Sequence, residues 1–480
     1  MIRLLLLCLL PLVAFAADTP WPLRWRVTAD TVNGLAFRHP YELIPSDLGS
    51  TGLVRIDPQT RRYRTDPEVR LFVRDGADPR QAGEAEAGGT VAWAPWTPSS
   101  STAPTAAGTK KEAPLNAVLG TLGAGPHQRT VLAIAQGSRT VGLVLRGGPT
   151  TGDNAGILAS VEVLPPAAKG KPAPATARDL AARKGTVLDS TGKPVPARTA
   201  AKPVGWPQAW ELETEHYHLT GNTSPARLAW HGQYLEALYR TYAGIYQPER
   251  MPPTKFEVHL FHRQEEFHAA ANAWGNDLPP MGNGILGGFF SPSLQSLWVY
   301  EESGALGGPD MTIEHVIAHE CSHQFLFLAT HGNHTVPTWL NEGLAVYFES
   351  GVFQNGCFEI RPPSGRLAQL KTLYQQRGNT LVPLEDYIAH QGSIGPDQYG
   401  EVFAMTHFWL FGACKGPQCP HKNCGLSRFR TYWNDLKAGA DGPQAFEDRF
   451  MADMIKAKGG RDQALSAWKA AHLEYVKTLK

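Results

Sequence analysis

The sequence of 480 residues predicts an α+β protein, in which a β-rich N-terminal region precedes a small mixed sheet and a helical C-terminal half. Three observations favour this fold class. Up to about residue 165, short runs rich in β-branched residues are separated by Gly, Pro, Asp and Ser. A segment rich in Ala, Pro, Lys and Arg follows, and after about residue 206 the apolar spacing becomes mostly helical.

The first 16 residues are typical of a secretory signal peptide. Arg3 precedes an apolar run, Leu4 to Val13, that is too short to span a bilayer. Ala14-Phe15-Ala16 then matches a cleavage site, so we expect the mature chain to begin at Ala17 and to be periplasmic or secreted. The alternative, an uncleaved anchor, is less favoured because Asp18 and two prolines follow at once. Since no later segment is long and apolar, we expect no stable membrane insertion.

Residues 17–165 contain six runs that predict strands of a sandwich-like domain: RWRVTAD, GLVRI, VRLFV, RTVLAIA, TVGLVL and ILASVEVL. We find no catalytic constellation in them, so a binding role and a structural role both stay open. The segment 166–205 reads as a semi-extended linker. Within it, GTVLDSTGKPVP predicts a small hairpin about Ser190-Thr191-Gly192.

Residues 206–440 predict the α+β part of the chain, and residues 441–480 a helical C-terminal segment. WELETEHYHL, KFEVHLF, GGFF and SLWVYE read as strands. Helices are expected from Pro225 to about Tyr246, over RQEEFHAAANAW, from Met311 to Ala329, and from Pro337 to Ser350 with Gly351 as the stop.

The helix EHVIAHECSHQFLFL carries the residues from which chemistry can be predicted. His319 and His323 lie four residues apart, so both imidazoles project from one face and can take two corners of a tetrahedral zinc site. Glu320, one residue on, can accept a proton from water beside the metal. Glu342 follows His323 after 18 intervening residues, enough for a turn and a second helix that returns a third ligand. The alternative is a buried helix with two satisfied histidines.

His319 to His323, taken together with the segment WLNEGLAVYFE, resembles the gluzincin peptidases, which include thermolysin-like and aminopeptidase N-like enzymes. The order of elements over residues 206–412 is most similar to the peptidase-MA-like family. The resemblance implies a zincin-type domain, one zinc ion and hydrolysis of peptide bonds. By position it makes His319, His323 and Glu342 the metal ligands and Glu320 the catalytic base.

The chain departs from these families at two places. Aminopeptidase N-like enzymes carry Gly-x-Met-Glu-Asn before the metal helix, and GGFFSPSLQSLWVYE lacks it, so we expect an endopeptidase. Related enzymes often place an acid four residues after the ligand Glu, where this chain has Val346. Glu349 or a backbone carbonyl would then have to orient the first histidine. Tyr399 is a candidate donor to the oxyanion, with an ordinary half-buried tyrosine as the alternative.

Five cysteines remain after the predicted cleavage. Cys321, inside the metal helix, reads as a small buried residue. The other four, Cys357, Cys414, Cys419 and Cys424, predict two disulfides in an exported protein. A zinc knuckle formed by the last three with His421 is the alternative.

The sequence thus predicts an exported zinc-dependent peptidase acting on a peptide or protein. An exported, zinc-stabilised binding or scaffold protein with little or no hydrolytic activity is the alternative, and zinc-dependent hydrolysis of another bond is a third possibility. The formal net charge of +1 gives no reason to expect a nucleic-acid partner.

Overall fold

The structure is a computed structural model in which the described residues are 25–30, 32–45, 52–57, 62, 66–97, 115–164, 186–188, 194–196, 210–248, 251, 253–276, 278, 287–301, 312–330, 336–378, 386–387, 394–412 and 424–479. They form a mixed α+β protein with a β-rich N-terminal region and a helical C-terminal half, as predicted. The predicted signal peptide and most of the 166–205 segment lie outside the described residues.

The N-terminal region consists of two packed antiparallel sheets. Its strands are β1 (Trp25–Asp30), β2 (Leu35–Pro40), β3 (Leu43–Pro45), β4 (Gly52–Arg55), β5 (Val69–Asp75), β6 (Ala92–Pro95), β7 (Ala117–Leu122), β8 (Arg129–Gln136), β9 (Arg139–Arg146) and β10 (Glu162–Val163). One sheet has the order β1-β2-β10, and the other β3-β4-β5-β9-β8-β7-β6. Phe37 of the first sheet and Leu132 and Leu143 of the second belong to one buried apolar cluster, so each sheet covers the other.

Two helices in this region differ from the prediction. Helix α1 (Pro79–Ala87) was not predicted, although Asp78 caps its N-terminus and Gly88 ends it at φ 77°. The run ILASVEVL, predicted as a strand, is wrong: its first residues belong to helix α2 (Asn154–Ala159), and only β10 is extended. A short apolar run does not distinguish strand from helix, and here α2 buries Ile157 and Leu158 in the core between the sheets. A 3₁₀ turn, Gly125–His127, precedes β8.

A third sheet, which is mixed, is formed by strands between residues 186 and 300. Its strands are β11 (Thr186–Leu188), β12 (Pro194–Pro196), β13 (Trp210–Glu213), β14 (Tyr217–Gly221), β15 (Phe256–Phe261), β16 (Gly288–Ser291) and β17 (Ser296–Tyr300), in the order β12-β11-β13-β14-β15-β17-β16. β14, β15 and β17 are parallel, and the other neighbours are antiparallel. The predicted hairpin of β11 and β12 is confirmed, whereas WELETEHYHL is two strands joined by a turn.

Helices account for most of the remaining described residues. They are α3 (Pro225–Tyr246), α4 (Gln264–Ala273), α5 (Ile313–Ala329), α6 (Thr338–Glu349), α7 (Ser364–Gln376), α8 (Tyr399–His407), α9 (Cys424–Lys437), α10 (Gly442–Phe446), α11 (Ala452–Lys458) and α12 (Arg461–Thr478). Two π-helical segments, Phe408–Gly412 and Glu447–Met451, and a hairpin of β18 (Val352–Gln354) and β19 (Cys357–Glu359) complete them. The predicted helices at α3, α4, α5 and α6 are confirmed, and no helix among the described residues is long and apolar enough to cross a membrane.

Helix α3 fixes the rotation of α5 through three buried tyrosines. The bonds join the hydroxyls of Tyr234, Tyr242 and Tyr246 to Glu314 O, Ala318 O and Ser322 Oγ over 2.7, 2.7 and 2.9 Å. Their partners are spaced four residues apart and so share one face of α5. His319 and His323 each follow a partner by one residue, about 100° around the helix, and therefore project from a different face of α5 than the one bonded to α3.

The N-terminal sheets pack against the mixed sheet through buried polar contacts. Tyr41 donates to Ser296 Oγ at 2.7 Å, and Arg38 pairs with Glu211 at 3.1 Å. Tyr41 also lies in an apolar cluster with Phe267 and Trp274. The first strands therefore belong structurally with the mixed sheet as well as with their own region.

The cysteine predictions have separate outcomes. Cys321 is buried and free, as predicted. Cys357 is an exposed free thiol, so the predicted pair of disulfides, which requires all four cysteines, is not formed. The side chains of Cys414, Cys419 and Cys424, with the alternative zinc knuckle, lie outside the described residues.

Candidate metal centre

Helices α5 and α6 bring the three predicted ligands together. Glu342 Oε2 lies 3.5 Å from His319 Nε2 and 3.7 Å from His323 Nε2. Each of the three residues offers one ligand atom, a histidine nitrogen or a carboxylate oxygen, and these three atoms lie within 4.8 Å of one another. A tetrahedral site with ligand distances of about 2.1 Å has donor separations of about 3.4 Å, so this spacing suits a zinc ion.

A glycine next to Glu342 allows a third helix to approach the centre. A Cβ on Gly343 would lie 2.0 Å from Thr406 Oγ1 and 2.6 Å from Val402 O, both on α8. Only hydrogen therefore fits between α6 and α8 at this point. The close approach carries Tyr399, at the start of α8, to a position where its ring stacks on His319 at 5.2 Å between centroids.

The nitrogens of the two imidazoles that face away from Glu342 each have a partner. His319 Nδ1 lies 3.3 Å from Glu349 Oε2, and His323 Nδ1 lies 2.8 Å from Asn341 Oδ1. Since a carboxylate or amide oxygen accepts from Nδ1–H, each Nε2 is left as the lone-pair donor that a metal requires. Glu349 is buried, and Arg366 Nε donates to it at 3.0 Å. Of the two alternatives left open by Val346, Glu349 or a backbone carbonyl, it is Glu349 that lies beside His319.

The electrostatics of the centre favour a cation. Burial alone would lower the pKa of His319, but its contacts with Glu342 and Glu349 and the charge of Glu320 raise it to about 10. Burial would raise the pKa of Glu342, yet contact with His319 and the charge of His323 bring it below its usual value. Glu342 Oε2 is nevertheless buried without a hydrogen-bond partner among the described residues. A buried carboxylate oxygen without a partner is costly, and a metal ion would satisfy it.

Glu320 faces the edge of the mixed sheet. Its Oε2 accepts a hydrogen bond from Phe290 N on β16 at 3.0 Å. Burial raises the pKa of Glu320. The charges of His323 and His319 act in the opposite direction, the charge of Glu342 raises the pKa further, and the net effect is an increase. A carboxylate whose pKa is raised toward neutral pH is suited to exchange a proton during a reaction.

Tyr399 packs its ring against the imidazole of His319. The Arg366 guanidinium lies 4.9 Å from the centroid of the Tyr399 ring, and the charge of Glu342 acts on the Tyr399 hydroxyl. Burial, together with the charges of Glu342 and Glu320, raises the pKa of Tyr399 far above its ordinary value. The phenol therefore stays protonated and is available as a neutral donor.

A cavity of about 260 Å³ opens beside His323 and Glu342. Phe290, Leu326 and Phe327 are among the apolar residues that line it, with Asn341 at its polar end. A pocket with apolar walls next to a candidate metal ion can hold a side chain of a substrate.

The sequence did not identify two features of the centre. Asn341 stands in the segment WLNEGLAVYFE, but its contact with His323 depends on how α5 and α6 cross, which the sequence does not indicate. Arg366 lies on α7, far from any motif. The edge strand of the mixed sheet is β16, because β17 pairs with both β15 and β16.

A second group with ligand spacing, Glu215, His216 and Glu236, lies on the mixed sheet and α3. His216 Nδ1 is 2.8 Å from Glu236 Oε2, and its ring stacks on Tyr239 at 3.5 Å between centroids. These contacts satisfy the imidazole without a metal.

Comparison with known protein families, with curated proteins and with solved structures finds no match to the chain.

Proposed function

We propose that the protein is an exported zinc-dependent endopeptidase of the gluzincin kind, with a zincin-type domain over residues 206–440. One observation carries the proposal: two Nε2 atoms and Glu342 Oε2 converge at tetrahedral spacing, while both Nδ1 atoms are engaged by Glu349 and Asn341. A chance pair of buried histidines would not need this arrangement of donors.

The donor set fits zinc chemically. Two imidazoles and one carboxylate are a usual set of protein ligands for a catalytic zinc ion, which leaves a position for water or substrate. A zinc ion held there supplies a Lewis acid that polarises the scissile carbonyl and makes water more acidic.

The remaining steps belong to residues of the chain. Glu320 accepts the proton of the attacking water as its oxygen bonds to the carbonyl carbon, and returns that proton to the leaving amine as the C–N bond breaks. Tyr399 donates a hydrogen bond to the charge that develops on the carbonyl oxygen. The edge strand β16 offers backbone groups to an extended peptide, and the adjoining cavity takes an apolar side chain.

The test uses the mature full chain with a denatured, fluorescently labelled protein. We expect new fragments that disappear when a chelator removes the metal and return with added zinc. Glu320→Gln should keep stoichiometric zinc and lose activity by about 10²–10⁴-fold, because it removes the base but no ligand. Glu359→Gln, an exposed carboxylate on β19, is the matched control and should behave as wild type.

Two results would contradict the proposal. Near-normal turnover by Glu320→Gln would remove the base from the mechanism. Stoichiometric zinc in a folded Glu342→Ala variant would show that Glu342 is not the third ligand, and the metal centre described above would then be wrong.

A further inference from the structure

The β-rich region contains a cavity of about 320 Å³ whose rim is strongly basic. Arg70, Arg129 and Arg146 line it together with His127, Gln128 and the single carboxylate Asp66. Its volume lies at the lower end of the range typical of small-molecule sites. It belongs to the sheet β5-β9-β8 and shares no lining residue with the cavity beside the candidate metal centre.

The register of the sheet places two of these arginines opposite each other. Arg129 of β8 is directly opposite Arg146 of β9, and Arg70 of β5 pairs with Val144, two residues before Arg146 on the same face. Like charges directly opposite each other destabilise a sheet. In the described part of the chain neither Arg129 nor Arg146 has a carboxylate within ion-pair distance, so the described residues leave this pair without a neutralising partner.

The neighbouring helix holds two of the guanidiniums in place. Arg70 forms an ion pair with Glu86 at 2.8 Å and donates to the carbonyl of the same residue at 2.9 Å. Arg129 Nη1 donates to Ala87 O at 3.2 Å, at the C-terminal end of α1. Each guanidinium has five N–H donors, and Arg129 uses one of them in these contacts. The rim therefore presents fixed and unused donors to the cavity.

We propose that this cavity binds a small anionic ligand through a phosphate or carboxylate group, with Arg129 and Arg146 as the binding residues. Both groups accept paired N–H bonds from a guanidinium, and either would remove the repulsion between the two arginines. This assignment is independent of the metal centre and gives the β-rich region a recognition role.

The test is calorimetric titration of the full chain with inorganic phosphate and, in a separate arm, with succinate. Both are run at constant ionic strength with metal-free protein. We expect saturable binding in at least one arm, and an apparent affinity at least about tenfold weaker in Arg146→Gln and in Arg129→Gln. Arg80→Gln, which changes an exposed arginine of α1, is the matched control and should bind as wild type. Glu342→Ala should also bind as wild type, because an anion held at the metal centre would respond to that variant.

Thermal unfolding in chloride shows whether the variants remain folded. Arg146→Gln should unfold at the same temperature as wild type or higher, since it removes a like-charge pair. Saturable binding that is equal in wild type, Arg146→Gln and Arg129→Gln would overturn the proposal, as would the absence of binding in both arms.

Discussion

Replacement of Glu349 tests how much the hydrogen bond to His319 contributes to zinc affinity, because it changes none of the three ligands of the candidate metal centre. Glu349 is not among the residues that line the cavity beside the centre, and it contacts His319 Nδ1 at 3.3 Å and Arg366 Nε at 3.0 Å. Substitutions of this kind of partner cost about 10–100-fold in metal affinity. Because 3.3 Å is long for a charge-assisted hydrogen bond, we expect the lower end, about tenfold or about 1.4 kcal/mol, for Glu349→Gln.

Glu349→Ala should lower the stability of the protein as well as its zinc affinity, and it should do so more than Glu349→Gln. It leaves the Arg366 guanidinium, which is 20% exposed, without its carboxylate inside a mostly buried site. The expected loss of unfolding free energy is about 1–3 kcal/mol, in addition to the weaker zinc binding. Arg366 also stacks on Tyr399, so that ring should lose part of its support.

The assay is competition for zinc against a chromophoric chelator, with urea unfolding of the metal-free variants beside it. Glu359→Ala is the control, because Glu359 is 57% exposed and its pair with Arg361 should be worth less than about 1 kcal/mol. Unchanged zinc affinity in both Glu349 variants would refute the reasoning. It would mean that His319 is oriented by its surroundings and not by this carboxylate.

The remaining predictions concern packing, the phenol and pH. Gly343→Ala should lose about 1–3 kcal/mol by urea unfolding, because its Cβ meets Thr406, whereas Gly244→Ala, with open space in α3, should gain about 0.5–1 kcal/mol. Tyr399→Phe should lower kcat about a hundredfold with zinc content unchanged, and an unaltered kcat would exclude the phenol from catalysis. Burial lowers the pKa of His218, but two glutamates raise it to about 10. The stabilisation of the fold by protonated His218 is therefore complete below the ordinary pKa of about 6.5 and is lost as pH rises through 10. By urea unfolding, His218→Asn should be less stable than wild type by about 3–5 kcal/mol at pH 6, and this difference should shrink at high pH.

The sequence predicted the parts of the centre that depend on local spacing. His319, Glu320 and His323 lie within five residues of one helix, so their common location follows from helical geometry alone. Glu342 required only that a turn and a second helix follow. Helix α3 was also predictable, because Ser224 and a proline mark its start and its C-terminus follows from the apolar spacing.

The parts that sequence reasoning missed depend on which elements become neighbours. Arg366 reaches the centre because α7 packs against α8, and Gly343 matters because α6 and α8 touch, and neither contact has a local signal. The edge position of β16 follows from strand order, since a parallel β15 on one side places β17 inside the sheet. Helix α1 was the opposite case. Its capping Asp78 and its terminal Gly88 are recognisable helix signals in the sequence, but the helix was not predicted because strand-like runs surround them.

Charge balance connects the ligands of the centre to their supports. Glu320, Glu342 and Glu349 bring three carboxylates to one region, and Arg366 brings a single guanidinium. With both imidazoles neutral, these four groups hold two negative charges in excess, which is the charge of one divalent cation. In the proposed zinc site Glu349 would therefore contribute to metal binding twice, through the orientation of His319 and through its share of that charge. Glu349→Gln removes the charge and keeps a hydrogen-bonding side chain, so its zinc affinity relative to Glu349→Ala measures how much of the effect is electrostatic.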